Sequence, residues 1–268
     1  MSKKLTVAVC GATGAVGREM LKTLHDRNFP ASEVLAFASA RSEGVKVPYG
    51  DTELTVHELK EDSFVGVDIA IFSAGGATST KFSPYAAHSG CVVVDNSAAW
   101  RMDDRCPLVV PEVNPEDLEW HNGIIANPNC STIQMLVALK PIHDAVHIKR
   151  IVVTTFQAVS GAGQKGINEL EQQVRDLFNS REIKCDKFPY RIAFNVLPQI
   201  DIFLDNLYTK EEMKMVNETK KIFSDPEMRI TATTVRVPVY RSHSESVNVE
   251  LEHDVQLEDI RKALSNFP

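Results

Sequence analysis

The first hundred residues alternate between short apolar runs and helical patterns, and this alternation limits the possible folds more than any other feature of the chain. Leu5–Cys10, Val34–Ala38, Asp68–Ser73 and Cys91–Asp95 are rich in Val, Ile and Ala, which suits strands covered on both faces. Between them, Ala15–Arg27 and Thr78–Ser89 carry helical spacing. Strands separated by helices return to the sheet through crossovers, so the pattern predicts parallel βαβ units in a doubly wound sheet. From about Asn127 the texture changes. Helices are expected over Thr132–His143, Gly163–Phe178 and Lys210–Phe223, a long strand over Ile148–Val159, and alternating, half-exposed strands over Arg229–Tyr240 and Ser246–Glu252. The expectation is an α/β chain with a doubly wound domain over residues 1–128 and an α+β domain over residues 129–268.

Charge and cysteine usage narrow the setting. A net charge of −7 disfavours non-specific attraction to nucleic acid or an anionic membrane surface. Lys3 and Lys4 ahead of an apolar run resemble the start of a leader, but glycines and the charged Arg18 and Glu19 interrupt it. No run approaches the roughly eighteen uninterrupted apolar residues of a membrane helix. The cysteines Cys10, Cys91, Cys106, Cys130 and Cys185 are odd in number and contain no C-x-x-C pair. Neither a disulfide framework nor a metal site is expected, and a reducing cytoplasm fits best.

The segment VAVCGATGAVGREM places Gly11, Gly14 and Gly17 between the first strand and the first helix. There a backbone free of side chains can approach a pyrophosphate, and helix-terminal N–H groups can hold it. Glycines also serve tight turns and close packing, but this position favours a Rossmann-type dinucleotide loop comprising Gly11, Thr13, Gly14, Ala15, Val16 and Gly17. After the second strand, where an NAD site carries an acid for the ribose, this chain has Ser39, Arg41 and Ser42. A guanidinium beside hydroxyls suits a 2′-phosphate and so NADP(H); the alternative is that Arg41 is a solvated loop cation.

In NPNCSTIQMLVAL, Cys130 directly precedes an apolar helical run. The positive end of a helix dipole favours a thiolate, the form in which cysteine attacks carbonyl carbon. From the residues alone, Cys130 is equally consistent with a small packed thiol. With a nicotinamide site in the same chain, the nucleophile reading points to aldehyde oxidation or its reverse through a thioester.

Read in order, GATGAVG, DNSAAWRM, VPEVN, ANPNCST, TFQAVSGAG, EEMKMVNETKKI and RVPVYRSHSESV resemble the signatures of bacterial aspartate-semialdehyde dehydrogenases from the first strand to the end of the chain. The resemblance implies a Rossmann-type NADP(H)-binding domain followed by a catalytic and dimerisation domain. It also implies reversible reduction of aspartyl phosphate to aspartate semialdehyde with release of phosphate, on the route to lysine, threonine and methionine, and a homodimer. Matched to the family motifs, Cys130 is the nucleophile, His243 the general acid/base and Gln157 the residue orienting the intermediate. Arg236 and Glu211 match groups holding the substrate carboxylate and amino group. Arg101 and Lys214 match phosphate ligands, and Asn129 joins the substrate set. Ala74, Gly75 and Gly76, with Ser160 and Gly161, match loops lining the cofactor.

An N-acetyl-glutamyl-phosphate reductase is the nearest competing enzyme, but Arg236, Glu211 and Gln157 suit a free amino acid. A non-catalytic NADP-binding relative would be expected to lose Cys130 or His243. Familiar members of the family continue beyond the equivalent of LSNFP with further strands and a helix returning to the first domain. Lack of that segment is expected to expose apolar surface and weaken both domain association and dimer formation.

Overall fold

The computed structural model describes residues 5–267, so Lys3 and Lys4 lie outside the described residues. The chain forms two compact units, one running to Val109 and including Asn114–Pro128, the other comprising Val110–Val113 and the chain from Asn129.

Unit 1 is a seven-stranded sheet in the order β3-β4-β2-β1-β5-β6-β7. Its strands are β1 (Leu5–Cys10), β2 (Ala31–Ala38), β3 (Lys46–Tyr49), β4 (Thr52–Glu58), β5 (Ile69–Phe72), β6 (Val92–Asp95) and β7 (Ile124–Ala126). All neighbours run parallel except β3, which pairs antiparallel with β4. Helix α1 (Ala15–Asp26) follows β1, and α2 (Gly76–His88) follows β5. One core holds Val7, Val9 and Leu21, and a second holds Ala8, Phe64 and Phe72. Adjacent residues of β1 thus face different cores, which is why that strand is apolar at successive positions. Pairing Tyr49 with Thr52 leaves Gly50 and Asp51 as a two-residue hairpin loop, with Gly50 at φ +59°. That hairpin was not expected, because Pro48 and the charged residues around it mask the strand pattern.

Unit 2 is built on a three-stranded sheet, β10-β8-β9, formed by β8 (Ile148–Gln157), β9 (Arg229–Arg236) and β10 (Ser244–Leu251). β8 and β9 are parallel, and β10 is antiparallel to β8. Helices α3 (Cys130–Ala145), α4 (Gln164–Phe178), α5 (Lys210–Ile222) and α6 (Leu257–Asn266) complete it. β9 ends at Arg236, short of the expected Tyr240, because Pro238 has no N–H to continue the ladder. β8 ends at Gln157 rather than Val159, where the chain turns into the 3₁₀ turn Val159–Ala162. α3 starts at Cys130, two residues earlier than expected, and α6 was not foreseen. The register that opposes Gln157 to Arg236 brings the ends of β8 and β9 beside the start of β10. Among the described residues no helix is long and apolar enough to cross a membrane.

Candidate active site

In unit 1 a cradle of backbone forms at the carboxyl ends of β1, β2 and β5. Gly11 and Ala12 donate their N–H groups to Phe37 O, at 2.8 and 3.1 Å, tying the glycine loop to the end of β2. Ser73 N donates to Cys10 O at 2.8 Å and ties in the end of β5. Gly11 has φ +91°, and a Cβ there would come within 2.5 Å of Ser73 O. This position requires glycine on both counts. Gly14 is the N-cap of α1 and makes no side-chain cap bond, and Gly17 is buried on the inner face of the helix. Thr13 and Ala15 are half-buried, and Val16 is exposed. Ser39 and Arg41 are exposed just past β2, with Ser42 half-buried. Ala74, Gly75 and Gly76 lead into α2 from β5, and a Cβ at Gly75 or Gly76 would meet nothing within 4 Å. The expected cofactor residues of unit 1 therefore converge on one edge of the sheet, with helix-terminal N–H groups and an accessible guanidinium suited to pyrophosphate and 2′-phosphate.

Also in unit 1, the loop following β6 is organised by the buried Asp95. Its carboxylate accepts from Ser97 N at 2.9 Å, Ser97 Oγ at 2.7 Å and Ser79 Oγ at 2.7 Å, while Ser79 Oγ accepts from Trp100 Nε1 at 2.9 Å. Arg101, at the end of this loop, is buried and donates to Asn96 O at 2.9 Å. Without such partners a buried carboxylate would cost several kcal/mol, so the serines of this motif have a structural task.

In unit 2, side chains from four elements meet. Cys130 is the first residue of α3 and is exposed. Its neighbour Asn129 caps the helix by accepting from Ser131 N at 3.0 Å, a bond worth about 1 kcal/mol. The Asn129 side chain also donates to Glu211 Oε1 at 2.9 Å, and its N–H donates to Glu218 Oε2 at 2.6 Å. Glu211 accepts further from Gln157 Nε2 at 3.4 Å and from Lys214 Nζ at 2.9 Å. Burial acts to raise the Glu211 pKa, but Lys214, Asn129 and Gln157 outweigh it and hold the carboxyl below its ordinary value. The same network keeps Lys214 above its ordinary value despite burial, through Glu211 first and Asp201 second.

Arg236 and His243 are joined through one residue. Ala158 O accepts from Arg236 Nη1 at 2.8 Å, and Ala158 N donates to His243 Nδ1 at 2.9 Å. A backbone N–H can only donate, so neutral His243 carries its proton on Nε2. Burial lowers the His243 pKa, the Arg236 charge lowers it further, and Glu211 opposes both. Burial also lowers Arg236, against the opposing fields of Glu211 and Cys130. Ser160 and Gly161 occupy the 3₁₀ turn after β8. A Cβ on Gly161 would lie 2.8 Å from Arg236 Nη1 and 3.4 Å from His243 Cε1. The glycine lets both side chains approach the backbone.

The expected residues Asn129, Cys130, Gln157, Glu211, Lys214, Arg236, His243 and Gly161 thus form a connected set within unit 2, whereas Arg101 belongs to unit 1. The sequence reading passed over Ala158, Glu218 and Asp201. Glu218 lies seven residues after Glu211 on α5, a helical repeat that could have revealed it. Ala158 acts through its backbone and leaves no side-chain signal. Cys10 and Cys91 are buried, and burial drives both thiols up, Cys91 to about 12. They contrast with the exposed thiol at the start of α3.

Comparison with known proteins follows this division. The model described as semialdehyde dehydrogenase, NAD binding domain, matches residues 6–121, and that described as semialdehyde dehydrogenase, dimerisation domain, matches residues 139–268. Aspartate-semialdehyde dehydrogenase of Aquifex aeolicus is 55% identical over 98% of this chain and 78% of its own length. The chain belongs to the aspartate-semialdehyde dehydrogenase family. The Bacillus subtilis member is 52% identical, covering 100% of this chain and 80% of its own. A crystal structure of aspartate semialdehyde dehydrogenase II from Vibrio cholerae, complexed with ASA, matches with a TM-score of 0.97 and 51% identity over 99% of this chain and 80% of that one. Membership in the family accounts for both the Rossmann-type unit and the unit that follows it.

Proposed function

We propose that this chain reduces L-4-aspartyl phosphate to L-aspartate 4-semialdehyde with NADPH, reversibly and through a thioester on Cys130. The reading rests on one observation: Cys130 heads α3 within a network of Asn129, Gln157, Glu211 and Arg236, whose groups suit an amino-acid substrate. The Cys130 thiolate attacks the acyl carbon, the C–S bond forms, and the C–O bond to phosphate breaks. When bound, NADPH supplies hydride to the thioester carbon. Negative charge then develops on the carbonyl oxygen, and His243 Nε2–H donates to it. The C–S bond reopens to return the thiolate and release the aldehyde. In the reverse direction the same Nε2–H donates to the oxyanion formed when the thiolate adds to the aldehyde; for His243 to take up a proton instead, its Nδ1 must give up the Ala158 N–H. Arg236 holds the α-carboxylate, Glu211 the ammonium, and Gln157 orients the acyl group. Lys214 and, in unit 1, Arg101 are assigned to phosphate.

Unit 1 would hold the cofactor through residues 11–17, with Ser39, Arg41 and Ser42 at the 2′-phosphate and Ala74–Gly76 along the ribose. Ser160 and Gly161 are assigned to the nicotinamide end. We assign these tasks to a nucleotide domain over residues 1–128 and a catalytic domain from residue 129. A homodimer, in the cytoplasm, completes the proposal. Unit 2 exposes the large apolar side chains Phe178, Phe194, Ile202, Phe203 and Leu207, and the Phe178 and Phe194 rings meet edge to face at 6.3 Å.

The test is NADPH formation from aspartate semialdehyde with and without phosphate, and with NAD in place of NADP. Phosphate-dependent turnover that falls by at least about a thousandfold in Cys130→Ala is the expected result. Turnover that survives in this variant would end the thioester reading.

A further inference from the structure

The ammonium of Lys214 is contacted by two carboxylates of different standing. Glu211 Oε2 accepts at 2.9 Å, and Glu211 is buried and bonded to Asn129 and Gln157 through its other oxygen. It is part of the fixed framework. Asp201 Oδ2 lies at 3.3 Å, and its side chain remains 34% exposed. Asp201 belongs to the loop ahead of α5, and its left-handed backbone, φ +70°, is accompanied by a bond from Ile202 N to its other oxygen, Oδ1, at 2.9 Å. One cation between two carboxylates leaves a local net charge of −1, which opposes an approaching phosphate dianion. The cluster accommodates that anion if the weaker carboxylate withdraws.

We propose that Asp201 is a positioning residue that acts as a displaceable counter-ion on Lys214, competing with phosphate for the ammonium and so setting phosphate affinity. This inference rests on the assignment of Lys214 to phosphate. In the reductive direction Asp201 returns to Lys214 as phosphate leaves, which favours release of that product. In the reverse direction phosphate must displace it. The distinction from Glu211 is one of reach and anchoring: Glu211 cannot leave without unpairing Asn129 and Gln157, whereas the partly exposed Asp201 can turn Oδ2 toward solvent while Oδ1 keeps its bond from Ile202 N.

Asp201→Asn is the informative variant, because asparagine tolerates the left-handed backbone and keeps the Ile202 bond while losing the charge. At fixed ionic strength it should lower KM for phosphate by about two- to fivefold, the range of a partly exposed ion pair, with kcat moving far less. The same tightening should appear when inorganic phosphate is titrated calorimetrically into the protein, and should vanish in a Lys214→Gln background. An unchanged or raised KM, or tightening that persists without Lys214, overturns the proposal. Calorimetry separates the two levels of failure. If Lys214→Gln leaves phosphate binding intact, both the assignment of Lys214 and the role of Asp201 fall; if it weakens binding while Asp201→Asn has no effect, only the counter-ion role falls.

Discussion

The cradle in unit 1 is made of backbone: N–H groups and bare α-carbons contributed by residues close in sequence to β1, β2 and β5. The cluster in unit 2 is made of side chains, and partners such as Asn129 and Glu218 are 89 positions apart. The first kind of site tolerates most side chains but forbids a Cβ at key points. The second depends on every charge having its partner and on each side chain keeping its place.

Gly11→Val should be the most damaging test of this contrast. It adds a Cβ against Ser73 O at a positive φ, and about 3 kcal/mol or more of stability should be lost, with NADPH binding, in thermal melts and fluorescence titration. Normal binding by a stable variant would mean that the loop is not a tight backbone cradle. Gly161→Ala tests the other site, because its methyl group would push against Arg236 and His243. At an exposed turn with ordinary φ, melting should barely change while kcat/KM falls about ten- to hundredfold, as displacement of aligned groups does. A large loss of stability with intact kinetics would reverse that reading.

Arg41→Gln asks whether unit 1 also relies on a side chain. We expect KM for NADP to rise about tenfold with little change for NAD, measured side by side; equal effects on both would return Arg41 to a solvated loop cation. The smallest effect concerns Glu245 on β10. Burial raises its pKa to about 7 against the opposing influence of Gln134 and Ser131, and its Oε1 is buried without a hydrogen bond. Between the ordinary value of 4.5 and about 7, the folded protein keeps a proton that the unfolded chain has lost, so stability falls as pH rises through this window. Urea midpoints from about pH 5 to about pH 8 should show that slope in the parent and a flatter one in Glu245→Gln. An identical slope in both would assign the titration elsewhere.

The same contrast explains what could be read in advance. β1 was expected over Leu5–Cys10 and is found there, because a strand covered on both faces leaves an unbroken apolar run. The glycine spacing next to it is equally local. Cys130 was visible as a candidate, but its place as the first residue of α3 depends on Asn129, which is fixed by Glu211 and Glu218 from a distant helix. Glu211 and Lys214 resemble a solvated helical pair in isolation. α5 in fact buries Glu211, Glu212, Glu218 and Thr219, a polar inner face that hydrophobic periodicity does not reveal. Glu212 adds a second reason for that burial, since it completes a capping box with Thr209 and also accepts from Thr234 N at 3.0 Å. Asp201 escaped notice because its value lies in a loop conformation and a distant lysine.

Ala158 has no functional group of its own, yet its two backbone atoms face two different tasks. Arg236 is moored to its oxygen and the His243 ring to its nitrogen. The distance between the guanidinium and the imidazole is thereby gauged by the covalent dimensions of one amino acid, which thermal breathing of the surrounding helices cannot stretch. A single buried alanine serves as the ruler of the site.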